Sequence, residues 1–228
     1  MKIEKIVSWF DKTLKVADFD DISNNGLQVE RDRGSGIRDQ VKVVAFAVDA
    51  SVKAVEAAEK AGAQLLVVHH GISWGGGIKR LTGGVGKVVR AAIKNNIAIY
   101  ACHLPLDAHP VLGNNAQLAK VFGLKNVKPA FSYHGNVIGI IGTNRHGKRI
   151  GICSGGAGEF AEEAKALGCD LYVTGEASWG DVIAAENCGM EMICAGHYET
   201  EVFGVRALSR LMKKVLKVKT VDLTERLR

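Results

Sequence analysis

The sequence predicts an α/β protein built as two related lobes, and three observations lead there. Short apolar runs alternate with segments of helical periodicity along most of the 228 residues. Two stretches, AEKAGAQLLVVHHG and AKALGCDLYVTGEA, can be laid over one another with Gly62 on Gly168 and His69-His70 on Gly175-Glu176. Histidines and carboxylates gather just after several of the apolar runs, where the strands of an α/β sheet present ligands.

The elements follow in order. Ile3, Ile6, Val7, Phe10 and Leu14 recur at helical spacing and open the chain with an amphipathic helix. DISNNGLQV is turn-rich, with Asn25-Gly26 as its breaker. VKVVAFAV, QLLVV and IAIYAC then read as strands, separated by helices near 51–62 and 85–96, with a further helix near 116–122. A second series has strands RIGIC, DLYVT and EMICA, with helices near 159–167, 181–186 and 199–216. Buried apolar strands joined by helices argue for parallel sheets. The expected division is an N-terminal lobe over 1–123, a connector over 124–148 and a C-terminal lobe over 149–228, the lobes packing as one compact unit.

Composition narrows the possible functions. At 47% apolar with only three prolines, the chain can bury a sizeable core. No apolar run approaches the ~20 residues of a membrane span, and MKIEKIVSWFDKTL mixes charges into its apolar residues, so a cytoplasmic location without membrane contact is expected. The five cysteines, Cys102, Cys153, Cys169, Cys188 and Cys194, are odd in number and lack C-x-x-C spacing. They read as buried free thiols, neither a disulfide framework nor a thiolate zinc site.

The formal charge of +6 is partly local, since eight of the last 23 residues are Lys or Arg against two acids. Val202, Val205, Leu208, Leu211, Met212 and Val215 share a helical face there, which leaves Arg210, Lys213 and Lys214 outward as a solvated surface. Without aromatic interleaving or a nucleic-acid motif, the tail does not read as a nucleic-acid patch.

Four of the seven histidines, His69, His70, His103 and His197, sit at strand ends, with Asp107, Glu176 and Glu201 within a few residues. Imidazole plus carboxylate without thiolate suits zinc, iron or manganese. His197-x-x-x-Glu201 can present both side chains to one point if a helix begins there. His103-x-x-x-Asp107 has the same interval, but Pro105 and Pro110 suggest a rigid loop. Adjacent strand residues point to opposite faces, so His69 and His70 serve one ion only if the chain bends, or serve two ions. His109, His134 and His146 read as structural residues. A pseudo-repeat often holds its site where the halves meet, so the metal site is expected between the lobes.

Two glycine-rich stretches are ambiguous. SGGAGEF, between a strand and a helix, can offer N–H groups to an anion, approach the metal site, or serve as a tight turn. TGGVGKV is not a P-loop, because Leu81 replaces the first glycine and Val88 the final Ser or Thr. Lys79, Arg80 and Lys87 read as solvated surface.

The motifs NNGLQV, VVHHGISW, CHLPLDAHPVLGNN, SGGAG, VTGEAS and GHYETE, in this order, resemble the Ngg-interacting-factor-three-like proteins, also called dinuclear-metal-centre proteins and GTP cyclohydrolase I type 2 homologues. The resemblance implies two divalent metal ions per chain, held by His69, His70, Asp107, His197 and Glu201, with Glu201 bridging. His103 then lies beside the ions as a proton-transfer candidate, and Glu176 joins it as a catalytic candidate by its place after DLYVT. Two α/β lobes and a ring-shaped homohexamer are implied, here in the compact form without an inserted domain. The expected activity is hydrolysis of a nucleotide-like small molecule, GTP ring opening with formate release being the named candidate. A non-enzymatic metal-binding or regulatory protein and a metal-dependent phosphoester hydrolase are the alternatives.

Overall fold

The computed structural model describes residues 1–32 and 40–225. Arg226 and Arg228 of the basic tail lie outside the described residues. The chain is a mixed α/β protein with two five-stranded sheets and, among the described residues, eight α-helices. It divides into two compact units, one of residues 1–105 with 205–228 and one of residues 106–204.

The first unit is a βαβαβ core. Strands β2 (Val43–Asp49), β3 (Leu65–His70) and β4 (Ala98–Ala101) run parallel, connected by helices α2 (Val52–Lys60) and α3 (Gly83–Lys94). The strands are apolar on both faces because both are covered. On one face Ala45, Leu66, Val68 and Ile99 pack in a core with Val55 of α2 and Val89 of α3. On the other, Phe10 of helix α1 (Ile3–Leu14) stacks on Tyr100 at 4.9 Å and meets Phe46 edge-on at 6.4 Å. Helix α2 starts where the Ser51 hydroxyl accepts the Ala54 N–H. It stops at Gly62, whose φ of 71° suits a left-handed cap.

The second unit repeats that order. Strands β7 (Arg149–Cys153), β8 (Leu171–Thr174) and β9 (Met192–Cys194) are parallel, joined through helices α6 (Ala161–Ala166) and α7 (Trp179–Cys188). Gly168, with φ of 75°, follows α6 as Gly62 follows α2, each leading into the middle strand of its trio. The overlay of AEKAGAQLLVVHHG on AKALGCDLYVTGEA thus matches equivalent elements. Ser178 and Asp181 form a reciprocal capping box at the start of α7.

The sheets are mixed where wholly parallel ones were expected. Strand β1 (Gly26–Val29) adds antiparallel to β4, and β10 (Lys219–Asp222) adds parallel to β2. The segment expected as a connector, 124–148, supplies β5 (Lys125–Tyr133) and β6 (Asn136–Thr143), antiparallel to one another and to β7. Their turn is His134-Gly135, with φ of 48° and 76°, the positive values a two-residue hairpin favours. Phe131, Ile138 and Ile141 are buried, which is why this stretch folds into the sheet. The lobe boundaries read from sequence therefore differ from the compact units, since β10 returns the chain end to the first sheet and places Leu223 in its core.

Cys102, Cys153 and Cys169 are buried as expected, but Cys188 is only partly so and Cys194 is exposed. Helix α8 (His197–Leu216) leaves Arg210, Lys213 and Lys214 outward; Val215, expected inward, is exposed. Lys79, Arg80 and Lys87 are exposed. No helix among the described residues is long and apolar enough to cross a membrane.

Candidate metal centre

In the first unit, β3 runs through both His69 and His70. Their rings nevertheless lie 4.7 Å apart between centroids, so the divergence expected for adjacent strand residues does not occur at this strand end. His103 follows β4 and completes a cluster, with its ring 5.1 Å from that of His69 and 5.7 Å from that of His70. One ring nitrogen from each of the three lies within 4.8 Å of the others.

Each ring is oriented through Nδ1. His69, fully buried, bonds the Cys102 carbonyl at 2.9 Å. A carbonyl can only accept, so His69 carries a proton on Nδ1. His70 Nδ1 lies 2.8 Å from Asp49 Oδ1, and His103 Nδ1 lies 2.9 Å from Asp21 Oδ1. This is the arrangement by which proteins fix the tautomer of a metal-binding imidazole. Trp74 meets His103 edge-on, with centroids 5.2 Å apart, and is held by its Nε1–H to the Gly71 carbonyl.

The NNGLQV motif braces this corner. Asn25 Oδ1 accepts the His103 N–H, and Gln28 Oε1 accepts the Ile72 N–H. Asn24 Nδ2 donates to Ser73 Oγ. Gly71 is required because a Cβ there would collide with the Gln28 side chain and with Ala101 Cβ. Asp21 and Asn25 are functional neighbours that residue type alone did not reveal.

LPLDAHP is only in part the loop that its prolines suggested. Leu104–Asp107 forms the helical turn α4, where Pro105 occupies the first turn and its missing N–H costs nothing. Asp107, nearly buried, accepts from Asn114 Nδ2 at 2.7 Å and from Ser154 Oγ at 3.2 Å. Asn114 Oδ1 in turn accepts the Gly204 N–H, and Asn115 Oδ1 accepts the Ser154 N–H.

Helix α8 starts at His197, so the i,i+4 spacing places His197 Nε2 3.2 Å from Glu201 Oε1. His197 Nδ1 bonds Glu176 Oε1 at 2.8 Å. Glu201 is 2% exposed whereas the Glu176 side chain is 64% exposed, so one carboxylate is enclosed and the other meets solvent. The hydrogen bond to Glu201 raises the His197 pKa, burial opposes it, and Glu176 adds to the rise, which brings it to about 9.

Side chains of this corner take up most of the N–H groups of the SGGAG loop. The N–H groups of Ser154, Gly155 and Ala157 are taken by Asn115 Oδ1, Thr200 Oγ1 and Thr174 Oγ1. A Cβ on Gly155 would lie 2.5 Å from Glu201 Oε1 and 3.4 Å from His197 Nε2, so glycine lets the carboxylate and imidazole approach the loop. His109 accepts the Val111 and Leu112 N–H groups on Nδ1, a structural role.

Fold and donor set together define an α/β protein with a histidine cluster able to hold a metal ion. The chain belongs to the Duf34/NIF3 (NGG1p interacting factor 3) family, which matches residues 1–147 and 134–226. Two relatives carry the name GTP cyclohydrolase 1 type 2 homolog. That from Pyrococcus horikoshii is 38% identical over 97% of this chain and 97% of its own. That from Deinococcus radiodurans is 37% identical over 90% and 86%. The solved structure of protein ybgI, described as of unknown function, is similar with a TM-score of 0.88 at 28% identity, covering 98% of each chain.

Proposed function

We propose that the chain is a metal-dependent hydrolase of a nucleotide-like substrate, with ring opening of GTP and release of formate as the candidate reaction. The observation that carries the proposal is the common orientation of His69, His70, His103 and His197. Each places Nδ1 against a carbonyl or carboxylate oxygen, the arrangement that orients a metal-binding imidazole. The names of the relatives support the substrate class.

In this reading His69, His70, Asp107, His197 and Glu201 would hold two divalent ions, zinc, iron or manganese. Bound ions of this kind supply an acidified water and a Lewis acid for the substrate. The chain's own groups do the rest. Asn114 and Ser154 keep the Asp107 carboxylate oriented, and Glu176 orients His197 from Nδ1 while its exposed carboxylate can pass protons to solvent. His103 takes up and returns protons at Nε2. The family resemblance further supports a cytoplasmic homohexamer; light scattering should give six chain masses, and a monomer would contradict the ring.

The test is a nucleotide panel on protein of measured metal content. Formate release from GTP is the expected result. Inorganic phosphate release would point to phosphoester hydrolysis. No turnover of any nucleotide at full metal occupancy would refute the hydrolase reading in favour of a metal-binding regulatory protein.

A further inference from the structure

Four hydrogen-bond contacts converge on one aspartate that no motif singled out. Asp21 Oδ1 accepts the Ser23 N–H at 2.9 Å and faces His103 Nδ1 at 2.9 Å. Its Oδ2 accepts from Asn25 Nδ2 at 2.8 Å and from the Leu104 N–H at 2.9 Å. The Asp21 side chain is 2% exposed, so water cannot substitute for a lost partner. An ionised carboxylate offers two acceptor positions on each oxygen and no donor. With two backbone N–H groups and an amide NH₂ already donating, the fourth contact is satisfied only if His103 Nδ1 carries a hydrogen.

The consequences for Asp21 and His103 are linked. Burial alone would push the Asp21 carboxyl up, but the His103 hydrogen bond and charge, with Asn25 and Ser23, outweigh it and lower its pKa. The carboxylate state is thus the stable one. Leu104 begins the α4 turn, and Asn25 Oδ1 holds the His103 N–H, so the backbone from which the ring projects is fixed by the same cluster. His103 keeps a side-chain exposure of 16%, enough for its outer edge to meet a small molecule.

We propose that Asp21 is a positioning residue that fixes His103 with its hydrogen on Nδ1, making Nε2 the only ring atom able to exchange protons with a substrate or water. The inference deepens the reading of His103 as the proton-transfer group and rests on it for its functional consequence. When Nε2 accepts a proton the ring becomes a cation, and the adjacent Asp21 carboxylate offsets that charge. The proton leaves by the same atom, and Asp21 stays ionised throughout.

The test has two arms. In the metal-free native chain, ¹H–¹⁵N correlation spectra of labelled histidines at alkaline pH, with His103 identified through His103→Gln, should show the neutral ring protonated on Nδ1. In Asp21→Asn the amide has one acceptor oxygen for four donors, so His103 should move toward the Nε2–H form. In metal-loaded protein of unchanged metal content, kcat for formate release should fall about tenfold or more with KM within about twofold. A native His103 protonated on Nε2 would overturn the proposal, as would a folded Asp21→Asn variant that keeps the native tautomer or the native kcat. If the native chain turns over no nucleotide, the hydrolase reading fails while the tautomer spectra of native chain and variant, which need no activity, still decide the role of Asp21.

Discussion

The two units hold their candidate ligands by opposite chemistry. In the first, the donors are imidazoles and the groups that orient them are oxygens: the Cys102 carbonyl, Asp49 and Asp21. In the second, two of the three donors are the carboxylates Asp107 and Glu201, and Asp107 is oriented by the neutral groups of Asn114 and Ser154. The first corner needs room for rings and obtains it from Gly71 and the bracing NNGLQV segment. The second needs close approach to backbone and obtains it from Gly155 and Gly175. The two βαβ frames thus carry side chains of different charge in the segments that follow their strands.

The comparison can be broken most severely at Gly155. Gly155→Ala adds a Cβ beside Glu201 in a backbone with φ of 70°. We expect a loss of about 2–4 kcal/mol from overpacking and left-handed strain, together with reduced metal content. Gly168→Ala, with φ of 75° and nothing near its Cβ, should cost only about 1–2 kcal/mol of strain and leave metal content unchanged. Thermal melts with elemental analysis separate the two.

The supporting groups should differ less. Asn114→Ala removes two buried hydrogen bonds, to Asp107 Oδ1 and from the Gly204 N–H. It should cost about 2–3 kcal/mol and lower metal affinity roughly tenfold or more. Asp49→Ala removes a partner whose side chain is 55% exposed, where water can replace the carboxylate at His70, so a smaller affinity loss is expected in isothermal titration. Equal losses would erase the contrast between an enclosed and a solvated support.

The smallest expected effect is on pH dependence. His197 in the metal-free chain has its pKa raised from 6.5 to about 9, so its protonated form stabilises the fold. That contribution is complete below about 6.5 and is lost as pH rises through about 9. Denaturant unfolding across this window should show a shallow decline that Glu201→Gln flattens.

Much of this architecture was legible in the sequence for physical reasons. Strands such as QLLVV and DLYVT are continuous apolar runs because helices or sheet neighbours cover both faces, and His197-x-x-x-Glu201 is visible because helical spacing is local. What escaped depended on tertiary partners. KNVKP at the start of β5 is exposed and polar, so nothing in it announces a strand. The prolines of LPLDAHP read as loop signals until the first-turn position of Pro105 is known. Asp21 lies 82 residues from His103 and Asp49 lies 21 from His70, so their role as ring partners exists only once β2, β3 and β4 align.

The central claim is that histidine and buried carboxylate at these strand ends hold metal. Elemental analysis of dialysed native protein beside His69→Ala, Glu201→Ala and His134→Ala tests it most directly. The account predicts metal in the native chain and in His134→Ala, and less than about a tenth of it in the other two variants, in line with the tenfold to hundredfold effects of removing supporting groups alone. Native metal content in folded His69→Ala and Glu201→Ala would contradict it.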